Sequence, residues 1–136
     1  MPKKNTHHLP AVTRVVVQSG LLVPDVAASR CKPDEIMALA VVNTDATDYT
    51  IRLTAFLNKA TGGAVTQANL FKAASASHAI PKSTVTVIER TIKTAGNWGT
   101  NSGQFPFTTY EFTVELWDAA NTKKLDDLDP DFDITP

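Results

Sequence analysis

Five aspartates crowd the last eleven residues of this 136-residue chain: Asp126, Asp127, Asp129, Asp131 and Asp133. All 13 Lys and Arg precede them, so a purely acidic run ends a slightly basic body. Carboxylate oxygens suit hard cations such as calcium. Asp129, Asp131 and Asp133 occupy alternate positions, and on an extended strand they share one face at roughly 6–7 Å spacing. One calcium ion, with ligands at roughly 2.4 Å, is within reach of two such neighbours but not of three. Asp129 and Asp131 are therefore the calcium candidates, with a further carboxylate needed from a loop holding Asp25, Asp45 or Asp48. The run has neither the central glycine nor the closing glutamate of an EF-hand loop. The simpler expectation puts Phe132 and Ile134 on a core and the aspartates in water. Charge and Pro130 would then keep a final edge strand from pairing.

A second concentration of chemistry lies at residues 95–107, AGNWGTNSGQFPF, which hold three of the six glycines. An exposed Trp98 there would stack on a sugar ring, while Asn97, Asn101 and Gln104 would hydrogen-bond its hydroxyls. The same Trp98, with Phe105, would equally anchor a protein partner, since tryptophan is a frequent hot-spot residue. The alternative is a long hairpin loop that folds Trp98 back over the end of the fold. Trp117 falls in phase with Glu111 and Glu115, so it is expected on an outward face, where it would add to an interaction surface.

Other chemistries find little support. Ser77 and His78 are adjacent on the chain, which does not make a dyad, and no G-x-S-x-G elbow occurs. Cys31 is the single cysteine, so no internal disulfide forms. Arg30 and Lys32 beside it would lower its pKa if it were exposed; a buried, idle thiol is the simpler reading. No P-loop, dinucleotide glycine pattern or HExxH is present. A net charge of −1 argues against a general nucleic-acid or anionic-membrane binder. The longest apolar run, residues 36–42, is far short of a membrane span. No apolar segment follows Lys3 and Lys4, so no secretory signal is legible. The expectation is a protein acting where it is made, unless a signal lies outside this sequence.

The elements that must position these residues repeat with period two. In TTYEFTVELWD, Tyr110, Phe112, Val114 and Leu116 alternate with Thr and Glu, which marks a half-buried strand. In DYTIRLTAFLN, Tyr49, Ile51, Leu53, Ala55 and Leu57 form one face. Residues 83–92 are β-branched with Val85 and Val87 in phase, and the phase slips at Ile88, as at a bulge or bend. Residues 12–17 and 36–42 are also strand-like, the second apolar on both faces as in a central strand. Turn residues punctuate these runs. Residues 67–77 permit a short helix or an irregular crossover. Residues 1–10, with His7 and His8, read as a flexible arm, and 11–136 as one domain.

About seven such strands predict an all-β antiparallel sandwich. Their order, over residues 11–135, resembles an immunoglobulin-like or fibronectin-type-III-like module. That resemblance implies that Tyr110 is a tyrosine-corner residue. Residues 31–51 are similar to the second-strand region of cupredoxins. The histidine, cysteine and methionine copper ligands of that family have no counterparts at this C-terminus, so a blue-copper site is excluded and no cofactor is expected. The functional expectation is a non-catalytic structural or protein-interaction module that binds a protein partner or self-associates, such as a subunit or adhesion-type domain of a larger assembly. A carbohydrate-binding module using the 96–107 loop and a calcium-stabilised domain are its competitors.

Overall fold

The computed structural model describes residues 11–27 and 30–136. The arm expected at residues 1–10 lies outside the described residues. Besides a 3-10 turn at Ala95–Asn97, ten strands and one α-helical turn follow in order. They are β1 (Ala11–Gln18), β2 (Leu21–Val26), β3 (Arg30–Cys31), β4 (Ile36–Asn43), β5 (Tyr49–Asn58), α1 (Gln67–Leu70), β6 (Ser77–Ile80), β7 (Val85–Thr91), β8 (Thr109–Asp118), β9 (Lys124–Leu128) and β10 (Asp131–Ile134). One sheet has the order β2-β1-β4-β7. The other has the order β3-β10-β8-β5-β6, with β9 also on β8. The two inner faces enclose one hydrophobic core, so the chain is an immunoglobulin-like β-sandwich.

Not every pairing is antiparallel. β1 pairs β4 in parallel, as β10 does β3. The β1–β2 hairpin returns along the outer side of β1, which leaves its inner side for a strand arriving later in the chain. Ser19 (φ 53°) and Gly20 (φ 71°) make this tight turn, the two-residue geometry that matches strand twist. The Asp45 carboxylate locks it by accepting from the Ser19 and Gly20 amides at 2.8 and 3.0 Å and from the Tyr49 hydroxyl at 2.7 Å. These bonds, the Gly20 amide's foremost, hold its pKa below the usual carboxylate value.

The alternation in β8 is as the sequence predicts, with Tyr110, Phe112, Val114 and Leu116 all inward. In β5 it holds only as far as Leu53. Ala55 adopts φ 51° and the pairing with β8 slips between Thr54 and Leu57, so a bulge turns Phe56 and Asn58 inward and leaves Ala55 exposed. In β7 the expected slip is absent. The β4–β7 ladder is continuous from Ile36–Thr91 to Val42–Val85. Ile88 and Arg90 point inward, and Val85 and Val87 point out.

Segment 67–80 resolves into a helical turn and then a strand. Thr66 caps α1 through a reciprocal capping box with Asn69. Phe71 then bridges Ile92. The core is a chain of rings: Phe56 stacks on Phe112 at 5.3 Å and meets Phe71 edge-on at 5.7 Å, while Phe132 touches Phe71, Phe112 and Tyr110. The Tyr110 hydroxyl donates to the Pro106 carbonyl four residues upstream at 2.7 Å, which is the expected tyrosine corner. Burial pushes its pKa up to about 12.

Candidate interaction surface

The final strand of the acidic run, β10, does not close an outer edge, whereas β9 pairs with β8 alone. β9 and β10 lie end to end along one side of β8, broken at Pro130, and β10 sits between β8 and β3. Proline lacks the amide a continuous ladder needs, yet its carbonyl still accepts from the Phe112 amide at 3.1 Å. Phe132 and Ile134 are buried, as their alternation with aspartate predicts.

Each aspartate of the run has its own partner. Asp126 accepts from the Leu22 amide at 2.7 Å, which ties β9 to the edge of β2. Asp127 pairs with Lys124 at 2.7 Å, and Asp129 accepts from the Thr113 hydroxyl at 2.6 Å. Asp131 pairs with Lys59, and Asp133 accepts from the Thr109 hydroxyl. Of the loop carboxylates, Asp25 pairs with Arg14, Asp48 accepts from the Lys82 amide, and Asp45 is held in its turn. Asp25, Asp129 and Asp131 do border a groove of about 430 Å³ between β2 and the β9–β10 break. Among the described residues, however, no three Asp, Glu, His or Cys side chains converge as metal ligands.

The 95–107 loop is a plug rather than a platform. Trp98 is only 3% exposed. Its ring stacks on Phe107 and meets Tyr110 edge-on, and its Nε1 donates to the Lys93 carbonyl at 3.0 Å. The stacking face expected for a sugar or a partner is therefore spent on the core. The side-chain amides of Asn97 and Gln104 are spent too. Asn97 donates to Thr94, and Gln104 accepts from the Asn101 amide at 3.0 Å and donates to the Gly96 carbonyl at 3.1 Å. Phe105 bridges Trp98 and packs on the core's rim. Gly99, at φ +147°, leaves room for Gln104, whose Oε1 would lie 2.5 Å from any added Cβ.

Trp117 faces outward on β8, as its phase predicts, but is covered. The Arg52 guanidinium lies 3.5 Å from its ring centroid, and its Nε1 donates to Glu115 at 3.0 Å. Arg52 also donates to Asn121 at 2.8 Å. Cys31 is buried, and desolvation, reinforced by Glu35, pushes its thiol up to about 11, so it is no nucleophile at neutral pH.

One buried cation had no signal in the sequence. Arg90 points inward from β7 and spreads its guanidinium over Gln67 Oε1 (2.9 Å), the Glu89 and Ser75 carbonyls, and His78 Nε2 (3.0 Å). It bolts the 67–78 crossover to the opposite sheet. Desolvation, and then the Arg90 charge, lower the His78 pKa, so His78 is the neutral acceptor of that bond.

Among the described residues, the outer face of the four-stranded sheet is left without an internal use. Register places Val23, Val16, Val42 and Val85 in one row across all four strands. The next row holds Arg14, Ala40 and Val87, and the one after it Val12, Ala38 and Glu89. Val85 is 62% exposed and Val87 56%. A sheet with one solvated face ordinarily turns polar residues outward. Here the outward positions of β1, β4 and β7 are mostly apolar or small, with Arg14 and Glu89 as their charges and Gln18 and Thr91 at strand ends. A contiguous apolar sheet face rimmed by charge is the signature of an interaction site.

No family model matches the chain, and no curated protein matches it. Solved structures do. A chaperone–tip adhesion subunit pre-assembly complex from archaic chaperone-usher Csu pili of Acinetobacter baumannii aligns with 78% of this chain and 47% of its own, at 14% identity and TM-score 0.53. The periplasmic chaperone SfaE aligns with 93% of this chain and 55% of its own, at 18% identity and TM-score 0.52. A PapD-like domain of human CEP192 aligns over 98% and 96%, at 14% identity and TM-score 0.48. The chain spans about half the length of the first two, and the likeness is one of fold.

Proposed function

We propose that this chain is a non-catalytic protein-interaction module, a structural or adhesion-type subunit of a larger assembly, which docks protein through the outer face of its four-stranded sheet. The valine face carries the reading. Among the described residues its side chains have no partner to bury them, while Trp98, Asn97, Gln104 and the acidic run spend their polar groups within the domain. The fold supports it: a periplasmic chaperone and a complex joining a chaperone to an adhesin subunit share this sandwich. Val42→Lys with Val87→Lys tests the reading. Both positions face out, so the double variant is expected to melt as the wild type does while an affinity-tagged chain loses the protein that co-purifies from producing cells. Equal co-purification by both forms would overturn it.

A further inference from the structure

We infer that the partner seated on the valine face is a second copy of this chain, in a two-fold, face-to-face sheet packing. The inference rests on the reading of that face as a protein-docking surface and goes on to name its occupant.

The charges on the face are self-complementary. Arg14 on β1 and Glu89 on β7 flank the central β4, opposite Ala40 and Ala38 respectively. A two-fold axis in the interface plane, along β4, lays β1 of each copy over β7 of the other. Each Arg14 then meets the Glu89 of the other copy one row away, within reach of two long side chains, and the pair forms twice. Alanines at the centre and valines around them let two sheets approach to the roughly 10 Å of stacked sheets. Asp25, already bonded to Arg14 at 2.6 Å in the single chain, stays at the rim beside it.

The area fits a weak, reversible dimer. This axis overlaps β1, β4 and β7 of each copy and leaves β2 beyond the other copy's edge. Three strands about 4.8 Å apart, rising about 3.3 Å per residue over about seven residues, present about 330 Å² of flat sheet per copy. Two copies give about 670 Å², below the roughly 1,000 Å² at which stable specific interfaces begin. The dimer is therefore weak and concentration-dependent.

Sedimentation equilibrium on the purified full chain, from low micromolar to near-millimolar concentration, tests this. The mass is expected to rise from 14.7 kDa towards twice that value. Glu89→Arg sets arginine against arginine at both pairs, and Arg14→Glu sets glutamate against glutamate at both. Each variant alone is therefore expected to dimerise at least about tenfold more weakly. Mixed in equal amounts, the two restore opposite charges across the interface, and a heterodimer tighter than either homodimer by at least about tenfold is expected. A wild type that stays monomeric, or a mixture no tighter than its components, overturns the inference. Photo-crosslinking in producing cells from a benzophenone side chain at position 87 separates the two possible failures. Crosslinks to a different protein with a monomeric chain remove the second copy but keep the docking face. Absence of any crosslink removes both.

Discussion

Val42 and Thr113 hold equivalent places, each on the outer face of a strand central to its sheet, and their surroundings differ completely. Val42 lies between Val16 and Val85, with nothing polar in its row. Thr113 lies opposite Thr54 and donates to Asp129 at 2.6 Å. Around it Arg52 covers Trp117, and Lys124 reaches Asp127. Apart from the Thr54 hydroxyl, the outer face of the second sheet thus completes its own hydrogen bonds and ion pairs, and water suffices as its neighbour. The outer face of the first sheet offers methyl groups that only another apolar surface completes. Two faces built on the same strand geometry and sharing one core are set apart by which residues alternate with the core positions.

Separating the inward and outward positions of a single strand gives the largest expected effect. Ile88→Ala opens a cavity in the core and should cost about 2–5 kcal/mol. Its neighbour Val87→Thr should stay within about 0.5 kcal/mol, because the position is open to solvent. Urea denaturation reads both, and equal costs would mean that β7 faces the other way.

Arg90 joins the two sheets, so its loss should come next. Arg90→Ala strands the Gln67 and Ser75 acceptors and should cost about 2–3 kcal/mol. Proteolysis confined to residues 67–78 would show the crossover released from the opposite sheet.

A smaller effect should run in the stabilising direction. The Thr54 hydroxyl is buried with no hydrogen-bond partner among the described residues. Thr54→Val removes that polar burial at nearly constant shape and should raise stability by about 1 kcal/mol. A loss instead would mean that the hydroxyl is paired in solution.

The smallest effect is one of pH. His78 takes up a proton less readily folded than unfolded, where its pKa is about 6.5. Its contribution is full above about 6.5 and declines as pH falls through that value towards the lower folded pKa, because the unfolded chain binds the proton first. Melting curves from neutral pH to pH 5 should fall less steeply for His78→Gln than for the wild type.

Much of the fold was legible because polar and apolar residues alternate cleanly in β8 and β10, so one face identifies itself. The tyrosine corner at Tyr110 was implied by the resemblance to an immunoglobulin-like module, not by the alternation. Where both faces are apolar, as in β4 and β7, period two remains but does not say which face is inside. Val85 and Val87 share a phase that fits a core face equally well, yet Ile88 and Arg90 occupy the interior. The candidate surface was hidden by that ambiguity. Trp98 left two readings open: a loop rich in glycine and amides allows an exposed platform or a ring folded back over the end of the sandwich, and the second is what its hydrogen bonds and core contacts show. The parallel β1–β4 pairing and the Arg90 cluster depend on contacts between distant segments, which local pattern does not encode. The aspartates gave the right face for Phe132 and Ile134 but the wrong edge, because β3 adds beyond β10.

The claim that the valine face docks protein and the threonine face does not is tested most directly by placing one photo-crosslinking side chain at position 87 and, separately, at position 113. The account predicts protein crosslinks from position 87 and none above background from position 113. Crosslinks from position 113 alone, or equal yields from both, would contradict it.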